Sequence, residues 1–224
     1  MRCIVVTVLL LLISASTLAA PPSGIPKIDL NQAVVSMVVG TSVPGDYLPV
    51  PKECQEPNVI CLRYPLWFTV TPILPVYGYP PKGQIVVSTY SHYGQPEKDD
   101  ASSPRLILLF SQADQAVMPV NASARLVHRK DGEYFFIIYW ENPLPWLPCG
   151  VSQARESILA RDFPNSIDRP RDDYDVEQAP GLFRYHGKTA SPRYGISMTR
   201  LRQYLEKHHP LAADFHCAVP EHES

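Results

Sequence analysis

Two β-rich runs on either side of a Gly/Pro loop are the sequence feature that most constrains the fold. Residues 62–76 and 84–92 are rich in Val, Ile, Thr and aromatic residues, which favour strands. The intervening residues 78–83 read Gly-Tyr-Pro-Pro-Lys-Gly, a composition typical of turns. The pattern predicts a long hairpin. Proline cannot donate a hydrogen bond to a β-ladder, so Pro72 and Pro75 place that end of the first strand at an edge or a bulge.

Two further apolar runs supply partners for this hairpin. Residues 32–43 are rich in Val and predict a strand that Gly40 bulges or bends. Residues 105–110 read Arg-Leu-Ile-Leu-Leu-Phe, and such a continuous apolar run predicts a buried strand. The segments 93–104 and 111–123 are interpreted as loops.

Residues 124–140 predict a tight hairpin. Its two-residue loop would be Asp131-Gly132, a sequence that favours positive φ at both positions. This loop would place Lys130 opposite Glu133 as a cross-strand pair of opposite charge.

Charged side chains become denser near the C-terminus, and the apolar period changes to that of helices. Residues 152–163 predict a short helix with Ser152 as its N-cap, and residues 197–208 a longer one with Ser197 as its N-cap. Residues 182–186 predict one short strand.

The N-terminus predicts export. Segment 1–19 has the features of a secretory signal peptide. It has a basic residue at position 2, an apolar run at 4–13 and small residues before its end. The run is shorter than the ~20 apolar residues that span a bilayer. We expect cleavage after Ala19 and a secreted or periplasmic protein without a membrane span in the mature chain.

Four cysteines follow the predicted cleavage point: Cys54, Cys61, Cys149 and Cys217. An even number in an exported chain predicts disulfides, and four cysteines allow three connectivities. The short spacing from Cys54 to Cys61 favours pairing these two, which leaves Cys149 with Cys217. Free thiols are the alternative, and the lack of a Cys-x-x-Cys spacing disfavours a zinc site.

Composition and motifs exclude several functions. A net charge of −2 argues against nucleic-acid binding. The chain has no phosphate loop, no His-Glu-x-x-His and no Gly-x-Ser-x-Gly. We therefore expect no metal, no cofactor and no catalytic residue that a motif would identify.

The strand order, with a long loop after the first strand and helices at the end, is similar to a small five-stranded Greek-key barrel. It resembles the OB-fold barrel of secreted netrin-like and metalloproteinase-inhibitor-like domains over residues 32–141. The motifs that carry the likeness are Val-Val-Gly at 38–40, the run at 67–78 and the run at 80–90. The same rhythm is similar to uncharacterised exported bacterial proteins.

The resemblance implies a mainly β chain of the α+β class. The change of composition and period after Cys149 divides the mature chain into a β-barrel domain at 20–150 and a helical or irregular extension at 151–224 packed on the barrel. Those inhibitors bind the protease zinc through a cysteine at the mature N-terminus. Here the first mature cysteine is Cys54, so no functional residue is transferred.

Aromatic side chains crowd the β region and suggest an exposed binding patch. The candidate binding residues are Tyr79, Tyr90, Trp140 and Trp146. The favoured function is a non-enzymatic exported module that binds a protein or an envelope component. The alternatives are a structural envelope protein and a hydrolase whose site is assembled from separated residues such as Ser88, His92 and Asp114.

The signal peptide and the cysteines yield a first testable prediction. Intact-mass measurement of the exported protein should show the loss of 1–19 and no free thiol. Removal of one native disulfide should cost about 2–5 kcal/mol of stability. Alkylation of four cysteines without prior reduction would contradict the predicted pairing.

Overall fold

The computed structural model describes residues 23–29, 32–49, 52, 64–91, 103–119, 122–139, 147, 150–171 and 180–208. The predicted signal peptide 1–19 and the four cysteines predicted to form disulfides lie outside these residues, so both stay predictions.

Five strands close into a β-barrel. They are β1 (Val34–Tyr47), β2 (Tyr64–Tyr77), β3 (Ile85–Ser91), β4 (Arg105–Gln112) and β5 (Gln115–Val117). Their pairing order is β1-β2-β3-β5-β4, and β4 returns to β1. The β3–β5 pair is parallel and the other pairs are antiparallel. The predicted fold class, a mainly β chain with a small five-stranded barrel, is confirmed.

The continuous apolar run of β4 is buried on both faces. Ile107 and Leu109 belong to the barrel interior, to which all five barrel strands contribute. Leu106 and Leu108 face the other way, into a second core shared with the C-terminal elements. Successive side chains of a strand point to opposite faces, so an unbroken apolar run predicts burial on both sides. The buried strand predicted at 105–110 is confirmed.

The prolines of β2 lie where its ladder is incomplete. The pairing with β3 runs from Tyr64 to Val70, and in the described chain the rest of β2 pairs with β1 alone. Register shifts interrupt that β1–β2 pairing beside Pro72 and Pro75. The predicted position at an edge or bulge is therefore confirmed, and the missing N–H groups interrupt few ladder bonds there.

The strand that closes the barrel lies in a segment predicted to be a loop. Residues 111–123 contain the end of β4, all of β5 and a turn at Ala113 and Asp114. Ala113 has a positive φ of 54°. The loop prediction is wrong here because a strand of three residues is too short to show a two-residue period.

Among the described residues, short strands and one α-helix follow the barrel. The strands are β6 (Ser123–Arg125), β7 (Val127–His128), β8 (Tyr134–Ile137), β9 (Glu156–Ser157), β10 (Arg169–Pro170), β11 (Phe183–His186), β12 (Thr189–Pro192) and β13 (Tyr194–Ser197), and the helix is α1 (Met198–His208). Strand β6 extends the barrel sheet beside β4, and the others form the sheets β7-β8-β13-β9 and β10-β12-β11.

The helix predicted at 152–163 is wrong. The segment contains 3-10 turns at Val151–Ala154 and Ala160–Asp162 with β9 between them. Gly150 occupies the N-cap position and no side chain caps the first turn. Tertiary contacts override the helical period: β9 pairs with β13, and Ile158 and Phe163 pack in a core around Phe135.

The hairpin around Gly132 exists, but its loop has three residues. Backbone hydrogen bonds join Arg129 to Glu133 at 2.8 Å and Gly132 to Arg129 at 3.0 Å. Arg129 and not Lys130 therefore lies opposite Glu133. Gly132 has a φ of 97°, whereas Asp131 is not among the residues with positive φ. A three-residue loop with one left-handed glycine is a common hairpin connection.

The side chains of this hairpin fix the loop and join it to other elements. Arg129 Nε donates to Asp131 at 2.9 Å, and this hydrogen bond lowers the pKa of Asp131 to about 2. Lys130 Nζ donates to the Arg161 carbonyl at 2.7 Å. The carboxylate of Glu133 accepts the Thr199 backbone N–H at 2.9 Å, in the first turn of α1.

Helix α1 begins as predicted. The Ser197 hydroxyl accepts the Arg200 backbone N–H at 3.2 Å, which is an N-cap bond. Leu201 and Leu205 are buried in the second core with Leu106 and Leu108 of β4. The helix therefore packs on the outer face of the barrel.

The left-handed glycine of the hairpin yields a second prediction. Gly132→Val should lower the free energy of unfolding by roughly 1–2 kcal/mol or more, because a β-branched residue resists positive φ. No neighbouring atom lies within 4 Å of a Cβ placed there, so the loss would report backbone conformation alone. Urea denaturation measures it.

Gly181→Ala is the matched control, because Gly181 is equally open and has no positive φ. We expect a change within about 0.5 kcal/mol. Equal stability of Gly132→Val and wild type would contradict the described loop.

Candidate functional site

The loop between β2 and β3 presents a single large aromatic side chain to solvent. Tyr79 is 90% exposed. Its neighbour Gly78 has a φ of 66°, and Gly83 at the far end of the loop has a φ of 79°. A Cβ at Gly78 would lie 2.4 Å from the Val35 carbonyl oxygen. The loop thus packs its backbone directly on β1 before Tyr79 turns outward.

Tyr79 stands at the rim of a groove of about 460 Å³. One wall is the end of β2 and the start of the loop, and the other is α1. The lining residues are Pro75, Val76, Tyr77, Gly78, Tyr79, Arg202 and Glu206. Helix and strand meet here because α1 buries Leu201 and Leu205 against the barrel, which leaves Arg202 and Glu206 beside β2.

The polar groups of the groove are placed by specific contacts. The Arg202 guanidinium donates to the Pro75 carbonyl oxygen. Partial burial raises the pKa of the Tyr77 phenol above its ordinary value, so its hydroxyl stays neutral at physiological pH. Glu206 is exposed one helical turn further on. The groove therefore combines the rings of two tyrosines and a proline with the Arg202 guanidinium, the Glu206 carboxylate and the Tyr77 hydroxyl.

The structure describes two of the four predicted binding residues, Tyr79 and Tyr90, and places them apart. Tyr90 is half-buried and pairs with Pro65, at the end of β3. Tyr79 lies in the loop before the other end of that strand, which begins at Ile85. At a rise of ~3.3 Å per residue, Ile85 lies about 17 Å from Tyr90. Trp140 and Trp146 lie outside the described residues, so their participation stays a prediction.

The residues proposed for a hydrolase are not shown to converge. Ser88 is 2% exposed, and its carbonyl accepts the Met118 backbone N–H at 3.0 Å. Asp114 lies in the β4–β5 turn, two residues before Ala116, which pairs with Val87. His92 lies outside the described residues. Within the described ranges, no group of three or more His, Cys, Asp or Glu side chains could hold a metal ion.

Arg202 and Glu206 are the groove residues that sequence reasoning missed. The helical pattern of 197–208 identifies a buried stripe, and charged residues on the opposite side are ordinary surface residues by that criterion. Only the contact between α1 and the end of β2 gives them a common location with Tyr79. No local motif could have signalled it.

No family model, curated protein or solved structure matches this chain. In the part of the chain that the structure describes, no helix has the length and apolar character needed to cross a bilayer.

The packing of Gly78 yields a third prediction. Gly78→Ala should be more destabilising than Gly83→Ala, because both glycines have positive φ but only Gly78 approaches a backbone oxygen. We expect about 1–2 kcal/mol for Gly83→Ala from conformation, and a larger loss for Gly78→Ala. Thermal unfolding of the two variants measures the difference. Equal losses would show that the loop does not rest on Val35.

Proposed function

We propose that this protein is an exported, non-enzymatic β-barrel module that binds a protein or an envelope component through the Tyr79 groove. The observation that carries the proposal is the 90% exposure of Tyr79 at the rim of a groove lined by Tyr77 and Pro75. An exposed tyrosine is not required by the fold, because the loop is fixed by its glycines. A contact surface is the role that the side chain suits best.

Physical chemistry favours binding at such a position. Tyrosine supplies a large amphipathic contact area and has few rotatable bonds to immobilise. Aromatic and Arg side chains are enriched among residues that dominate binding energy, and Tyr79 lies beside Tyr77 and Arg202. A partner with a proline, an aromatic or an extended backbone would find both apolar contacts and polar groups here.

The N-terminal segment supports export. Its basic start and apolar run at 4–13 are typical of a signal peptide, and the four cysteines after it suit an oxidising compartment. A secreted or periplasmic protein would meet proteins, glycans and lipids of the envelope. The net charge of −2 makes nucleic acid the less favoured partner.

A capture experiment tests this function. Immobilised wild-type protein and the Tyr79→Ala variant are incubated with an envelope extract of the producing cell. We expect a specific partner on the wild-type protein and its loss on the variant. With the purified partner, Tyr79→Ala should weaken the affinity by about thirtyfold, the ~2 kcal/mol typical of a dominant contact residue.

Val43→Ala is the matched control. Val43 is 60% exposed and pairs with Thr69, near the other end of the β1–β2 ladder. This variant should capture the partner as the wild type does. Equal capture by Tyr79→Ala and wild type would remove the support for a site at the groove, and hydrolysis of an envelope component without stable capture would favour the hydrolase.

A further inference from the structure

The sheet β10-β12-β11 carries arginines that lie across aromatic rings. Arg169 lies with its guanidinium carbon 5.0 Å from the ring centre of Phe183, and Arg171 lies 5.3 Å from that of Tyr185. Arg169 pairs with Ala190 on β12, and Ala190 pairs with Tyr185 on β11. Because Ala190 is small, the arginine side chains can cross the central strand and reach the rings beyond it.

Lys188 is held beside Arg171 by the backbone. The Arg171 N–H donates to the Lys188 carbonyl at 3.0 Å. Lys188 lies in the two-residue connection between β11 and β12, after Gly187, whose φ of 61° allows the tight turn. The Thr189 hydroxyl closes that turn by donating to the His186 carbonyl at 3.0 Å. Two cationic residues are thus anchored at one end of the sheet.

Positive charge predominates on this sheet in the described ranges. All formally charged residues in 168–171 and 182–193 are cationic except Asp168, whose carboxylate accepts the Ser191 hydroxyl at 2.6 Å. The whole chain, in contrast, has a net charge of −2. The basic end of the sheet is therefore a local feature and does not follow from composition.

One further observation points to a ligand at this end. Within the described ranges, neither Arg171 nor Lys188 forms a salt bridge to a carboxylate. Arg171 is nevertheless held in place by the Tyr185 ring, so less side-chain entropy would be lost when an anion binds.

We propose that Arg171 and Lys188 form a binding site for a phosphate group. The planar guanidinium can donate two parallel hydrogen bonds to phosphate oxygens, and the ammonium adds a second positive charge. A phosphate monoester carries about −1.5 to −2 charges at pH 7, which suits two cations better than a single carboxylate does. The phosphate could belong to a soluble ester or to a lipid headgroup.

Titration with inorganic phosphate at low ionic strength tests the site, with the backbone amide signals of Gly187 and Lys188 followed by NMR. We expect saturable binding in the millimolar range. Arg171→Gln should weaken it about tenfold, and Arg171→Lys should retain part of the affinity because it keeps the charge. Lys188→Gln should also weaken binding, whereas the exposed helix residue Lys207 serves as a control through Lys207→Gln. Wild-type protein that shows no saturable binding, or Arg171→Gln that binds as tightly as wild type, would overturn the proposal.

Vesicles distinguish the two sources of phosphate. Sedimentation is measured with phosphatidylcholine vesicles and with vesicles that also contain phosphatidic acid. Binding to phosphatidic acid that Arg171→Gln abolishes would assign the site to lipid headgroups, and phosphate binding without vesicle binding would assign it to soluble esters. Vesicle binding that Arg171→Gln leaves unchanged would count against the site.

Discussion

Burial of β1 and β4 on both faces is the constraint on which the rest of the structure depends. Val38, Ile107 and Leu109 fill the barrel interior, while Met37, Val39, Leu106 and Leu108 form the floor of a second core. A barrel alone would leave the apolar outer face of β1 and β4 exposed to water. At about 25 cal/mol per Å² of apolar surface removed from water, covering it stabilises the fold substantially. The C-terminal segments fold onto the barrel because they bury this apolar face.

The cover in turn creates the functional surfaces. Helix α1 must place Leu201 and Leu205 in this second core, and its orientation is fixed further by Glu133, whose carboxylate accepts the Thr199 backbone N–H at 2.9 Å. With the helix so placed, Arg202 and Glu206 border the end of β2. The prolines of β2 are compatible with this packing. The end of β2 that contains Pro72 and Pro75 pairs with β1 and not with β3 in the described chain, and its other side faces the helix.

Much of the barrel could be predicted from the sequence, and the failures have physical causes. The strands β1 to β4 are long and apolar enough to be recognised, β4 by its continuous apolar run, and Ser197 has the chemistry of an N-cap. Strand β5 is too short for a pattern. The segment 152–163 has a helical period but forms hydrogen bonds with β13 through β9. Helix propensity is a weak determinant, and strand pairing together with the burial of Ile158 and Phe163 outweighs it. The Asp-Gly pair predicts a positive φ at Gly132 correctly but does not fix the loop length, because hairpin loops of two and of three residues both use a glycine with positive φ.

The binding surfaces could not be predicted in the same way, because each is assembled from segments distant in sequence. The aromatic side chain of Tyr79 marks it as a candidate in the sequence, but its exposure depends on the packing of Gly78 against Val35. Tyr90 has the same chemistry and is half-buried at the other end of the strand. Arg171 and Lys188 become neighbours only through the pairing of β10 with β12. Side-chain type thus identifies candidate binding residues, whereas strand pairing and backbone packing determine which of them a ligand can reach.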